Sequence, residues 1–126
     1  MQDEPTPSEL IKAVADFLRN DIAPGISGHA AFKLRVGINA LDLVTRQLAQ
    51  EPVSDAAELE RLKQLLGSDG SLAELNRALC DRIASGEVDL RTPGLSEHLW
   101  QTTMAKLAVD QPNYAAYKRE LEGKGS

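Results

Sequence analysis

The chain of 126 residues is poorest in sulfur and in aromatic surface. Cys80 is its one cysteine, which excludes an intramolecular disulfide and fits a reducing compartment. Phe17, Phe32, Trp100, Tyr114 and Tyr117 are the only aromatics, so any core must be built from Leu, Ile, Val and Ala, which interlock readily in helical bundles. Positive charge is the minority sign, with 14 Lys and Arg against 19 Asp and Glu, and the net charge of −5 argues against a general nucleic-acid binder. No Gly-x-Gly-x-x-Gly, Walker-type, Gly-x-Ser-x-Gly or kinase signature occurs. No uncharged run is long enough to cross a bilayer; the most apolar stretch carries Lys33, Arg35, Asp42 and Arg46, each costly in lipid. Met1–Pro7 has acids and prolines where a secretory signal has basic and then apolar residues, and the expected location is cytoplasmic.

What is present is helical periodicity. With 42% hydrophobic and 26% charged residues, the chain suits one globular domain, 1–126, with 1–6 and 122–126 expected to fray. The expected architecture is all-α: an up-and-down bundle of about five helices around a long central one, Ser27–Gln50. There Phe32, Leu34, Val36, Ile38, Leu41, Leu43, Val44 and Leu48 spread over most of the circumference, as on a helix surrounded by others. Pro52 is expected to stop it.

In chain order, Thr6 reads as the N-cap of a first helix, with Pro7 in the first turn, Glu9 closing a capping box, and Leu10, Ile11, Val14, Phe17 and Leu18 on one face. That helix should end near Asp21 or Ile22, ahead of Pro24. Ser54 is a candidate cap for a helix through Leu66, with Leu59, Leu62, Leu65 and Leu66 buried and Gly67 as its stop. Ser71 and Glu74 form a second capping box, before a stripe of Leu72, Leu75, Leu79 and Ile83 ended by Gly86. Val88 and Leu90 belong to a loop whose Leu90 tucks inward. Thr92-Pro93 opens the next helix, with Leu95, Leu99, Trp100, Thr103, Met104, Leu107 and Ala108 inside, and Pro112 separates it from a short last helix carrying Tyr114 and Tyr117.

Candidate chemistry is sparse. His29 and His98 stand on different helices with no ligand cluster beside them, so no metal site is expected; His98 reads as semi-exposed. Cys80, at the edge of an apolar stripe, reads as a small buried hydrophobe without a readable base. Gly25-Ile26-Ser27-Gly28 reads as an ordinary helix link, although a helix N-terminus there could cradle an anion. The strongest candidate is a polar seam on the central helix: Arg35, Asn39, Asp42 and Arg46 align at i, i+4, i+7 and i+11. One reading makes it a solvated face. The other makes it a contact for a partner chain or ligand, because Arg and Asn there stand without the Lys and Glu of an ordinary solvated face.

The succession Glu9-Leu10-Ile11 to Phe17-Leu18, Gly28-His29-Ala30-Ala31-Phe32-Lys33-Leu34-Arg35-Val36, Asn39-Ala40-Leu41 and Leu107-Ala108-Val109-Asp110-Gln111-Pro112-Asn113-Tyr114 resembles a bacterial family of uncharacterised helical domains. Members are found beside or fused to aminoglycoside-phosphotransferase-like kinases and near acyl-CoA dehydrogenases. The resemblance runs from Pro7 to about Lys118 and supplies no catalytic residues and no cofactor. It implies a companion role. The expected function is therefore a non-catalytic accessory module that contacts a kinase-like protein, a dehydrogenase or itself. The alternative is a small-ligand binder holding an acyl or CoA-like group, with Arg35 or Arg46 against its anionic end.

Overall fold

The computed structural model describes residues 4–123. It is all-α: five α-helices, α1 (Pro7–Phe17), α2 (Gly28–Leu66), α3 (Leu72–Ser85), α4 (Leu95–Asp110) and α5 (Ala115–Gly123), with no strand among the described residues. Of the termini expected to fray, 1–3 and 124–126 lie outside that range, while Glu122 and Gly123 close α5. Contacts gather in two compact units, Met1–Glu51 and Pro52–Ser126.

In the first unit, Thr6 caps α1 by accepting from the Glu9 amide at 3.2 Å, and its hydroxyl donates to the Glu9 carboxylate at 3.1 Å. The helix does not break at its end. It widens into a π-helical turn, Leu18–Ile22, and tightens into a 3₁₀ turn, Ala23–Gly25, with Pro24 in a first-turn position where a missing N–H costs little. Lys12, Asp16, Arg19 and Asp42 form a chain of ion pairs from α1 to α2. Among the described residues of this unit, only Ala15 and Ile38 are buried.

The expected face of α1 is thereby divided: Ile11 and Leu18 are half-buried around Ala15, whereas Leu10, Val14 and Phe17 are exposed. The central helix likewise departs from the expectation of apolar neighbours all round. Ile38, Leu34 and Leu41 turn inward, but Phe32 is 56% and Val36 53% exposed, and Val44 and Leu48 are also exposed.

Pro52 does not stop the helix; α2 runs through it to Leu66, and Ser54 lies inside rather than capping a new helix. The missing proline N–H leaves the Leu48 carbonyl without its helical donor, but Leu48 to Val53 are all exposed, so water can serve that carbonyl. Good helix formers on both sides, Ala49, Gln50 and Glu51 before and Ala56, Ala57 and Glu58 after, keep the chain helical.

The second unit holds the main core: Leu62, Leu66, Leu75, Leu79, Val88 and Leu95 bury together, with Leu59, Leu65, Leu72 and Ala78 packed against them. Gly67 ends α2 in the left-handed region at φ 64°, where a side chain would be strained. Ser71 and Glu74 close a reciprocal capping box at 3.1 and 3.0 Å, and Gly86 ends α3 at φ 83°. Arg82 donates to the Leu66 carbonyl at 3.1 Å, satisfying the last turn of α2 from α3. In the next loop the inward residue is Val88; Leu90, expected inside, is 77% exposed. Thr92 also differs from its expected role. Its hydroxyl accepts from the Asp89 amide at 3.0 Å and its amide donates to the Asp89 carbonyl, so it closes a local turn, and α4 starts at Leu95 behind Gly94.

Candidate functional site

The polar seam divides in space. Asp42, half-buried, is held by Arg19, and Arg46 is half-buried, whereas Arg35 and Asn39 are exposed. Beside them on α2 runs a bare apolar strip begun by a ring stack, His29 on Phe32 at a centroid separation of 6.4 Å and an interplanar angle of 13°. Val36 follows one turn on, exposed, and Leu43 two turns further, half-buried. On α1, Leu10, Val14 and Phe17 recur at i, i+4 and i+7 and form a second exposed apolar face. Gly28, in the segment read as an ordinary helix link, has φ 72° and starts α2.

Sequence reasoning overlooked the one buried polar side chain among the described residues of the second unit. His98, read as semi-exposed, is only 3% exposed. Arg61 of α2 donates from Nε to its Nδ1 at 3.2 Å and from Nη2 to Thr102 Oγ1, also at 3.2 Å. One guanidinium thus satisfies two polar groups one turn apart, and the inner side of α4 is rotated to Leu95, His98 and Thr102. Leu99, Trp100 and Thr103, expected inside, are exposed, while Met104, Leu107 and Ala108 are half-buried. Burial of the ring, and then the Arg61 charge, hold the His98 pKa below its ordinary 6.5, with Glu58 opposing. The readable signal was His98 and Thr102 at i, i+4, with Arg61 set directly before the leucine-rich end of α2.

Beside this cluster lies a pocket of about 210 Å³ whose polar lining is Arg61, Gln64, Glu97 and His98. It holds both charge signs, and Glu97 is bonded by Gln101 at 2.7 Å. Cys80, expected to be buried, is exposed. Among the described residues no three of His, Cys, Asp and Glu gather as metal ligands, and no helix is long and apolar enough to cross a membrane.

Residues 24–114, more than two thirds of the chain, match the family described as Domain of unknown function (DUF6285). The chain belongs to that family. The DUF6285 match takes in α2, α3 and α4 whole, hence both the exposed α2 strip and the Arg61–His98 cluster, and begins after α1. No curated protein and no solved structure matches the chain.

Proposed function

We propose that the chain is a non-catalytic accessory module of the bacterial cytoplasm that works by docking another protein, a kinase of the aminoglycoside-phosphotransferase type or an acyl-CoA dehydrogenase. One observation carries the docking reading: Leu10, Val14 and Phe17 make a regular apolar face on α1 that its own unit leaves uncovered. Scattered exposed leucines are ordinary, but a contiguous helical row is the form in which an amphipathic helix enters a groove.

The test is a titration of purified kinase and purified dehydrogenase against the full chain. Binding should weaken at least tenfold in Val14→Glu and Phe17→Ser, with the helical circular dichroism unchanged. Absence of binding to both protein classes would overturn the partner assignment.

The alternative is a binder of acyl or CoA-like ligands, for which the Arg61 pocket offers little room. The pocket beside Arg61, at about 210 Å³, is smaller than the roughly 300–1,000 Å³ usual for organic ligands. Arg35 and Arg46, the cations expected to serve it, do not line that pocket.

A further inference from the structure

α2 of the first unit carries two seams with the alternating spacing of a coiled coil. Ala31, Leu34, Ile38, Leu41 and Thr45 recur at +3, +4, +3 and +4, and all are buried or half-buried. Phe32, Val36, Asn39, Leu43 and Arg46 recur at +4, +3, +4 and +3 on another side, and the first three are exposed. A helix with two such seams is built for two neighbours.

The second seam is palindromic in its chemistry. Asn39 is its midpoint, with one aliphatic residue on each side, Val36 before and Leu43 after. Laid antiparallel on a copy of itself, it sets Asn39 on its own counterpart, where two side-chain amides can donate to and accept from each other. Val36 then meets Leu43, and Phe32 meets Arg46, aromatic face to guanidinium. The flanking charges obey the same register. Arg35 and Asp42 occupy equivalent flanking positions one heptad apart, so antiparallel pairing places each Arg35 against the Asp42 of the other copy, twice over. A carboxylate accepts from two guanidinium groups, so the Arg19 pair within the chain can persist. A parallel arrangement would instead set Arg35 against Ala40 and Asp42 against Gln47, with no pair of opposite charges.

We infer that this seam is a homodimer interface in which α2 pairs antiparallel with α2 of a second copy about a two-fold axis at Asn39. It is separate from the α1 face offered to a heterologous partner. From Phe32 to Arg46 the strip is about 21 Å long at 1.5 Å per residue. A strip of that length and one helix wide buries several hundred Å² per copy, less than the roughly 800 Å² per partner of standard interfaces. The dimer is accordingly weak and concentration-dependent.

Sedimentation of the full chain over a concentration series should show a monomer–dimer equilibrium, with the dissociation constant raised at least tenfold by Arg35→Glu, which sets two carboxylates together. Circular dichroism should be unchanged, since Arg35 is exposed. Register is read by oxidative cross-linking in a Cys80→Ser background, needed because Cys80 is exposed. Asn39→Cys should link to itself efficiently and Val36→Cys poorly, because antiparallel pairing sets Val36 against Leu43 whereas parallel pairing would set it on its own counterpart. Monomer at every concentration, a dimer indifferent to Arg35→Glu, or self-linking of Val36→Cys as ready as that of Asn39→Cys would each overturn the inference. None of these outcomes bears on the α1 titration, whose variants leave the α2 seam intact.

Discussion

The two units draw on the same kinds of apolar residue and use them differently. Pro52–Ser126 closes six side chains into one cluster and adds a satisfied histidine, whereas Met1–Glu51 buries, among its described residues, only Ala15 and Ile38 and leaves Leu10, Val14, Phe17, Phe32 and Val36 in solvent. Apolar content therefore does not set burial; the number of neighbours each helix finds does. In the second unit α3, the Val88 loop and the start of α4 all supply neighbours to the end of α2, and Arg82 ties that end down. The first unit offers α2 little beyond α1 and its π and 3₁₀ continuation.

The contrast is most easily broken in the core. Leu62→Ala should cost about 2–5 kcal/mol in denaturant unfolding, by lost burial and a cavity among rigid neighbours. Ile38→Ala should cost less, about 2 kcal/mol at the low end of that range, because its half-exposed surroundings can collapse onto the gap. Equal costs would mean that the first unit is as well packed as the second.

A smaller effect comes from acid. The folded His98 has a lowered pKa, while an unfolded histidine binds its proton near 6.5, so below that pH the unfolded chain binds more protons. His98 thus contributes stability that is complete above about pH 6.5 and declines as pH falls toward its lowered folded value. Unfolding midpoints measured from pH 7.5 to 5 should fall, and less steeply in His98→Gln. A midpoint unchanged across that range would place the ring in a solvated state and erase one difference between the units. Least of all, Leu10→Gln and Phe17→Ser should leave monomer stability within about half a kcal/mol. A larger loss would show the α1 face to be covered.

Local signals were legible wherever one residue decides the backbone. The Thr6 and Ser71 caps and the Gly67 and Gly86 stops rest on short-range chemistry and stand where their sequence places them. Pro52 misled because a proline rule counts the lost hydrogen bond but not the flanking helix formers or the solvent that serves the freed carbonyl. Thr92 misled because a threonine can cap a turn as readily as a helix. The facing of α4 required knowing that Arg61 would arrive from 37 residues away to satisfy His98, a long-range fact that periodicity does not carry. The seam Arg35, Asn39, Asp42 and Arg46 was legible as a line; its division between a partner within the chain and open solvent was not.

The Arg61–His98 contact also fixes the ring's proton. A guanidinium has only donors, so Nδ1, bonded to Arg61 Nε, must keep its lone pair, and the neutral ring carries hydrogen on Nε2 alone. The imidazole is held in a single tautomer, and its nitrogen chemical shifts should report one bare and one protonated site in the folded chain. Protonating Nδ1 would set N–H against N–H, so charging the ring means giving up its bond to Arg61 Nε, one of the two bonds by which Arg61 holds α4. His98 is thus wired as a latch on the α2–α4 contact.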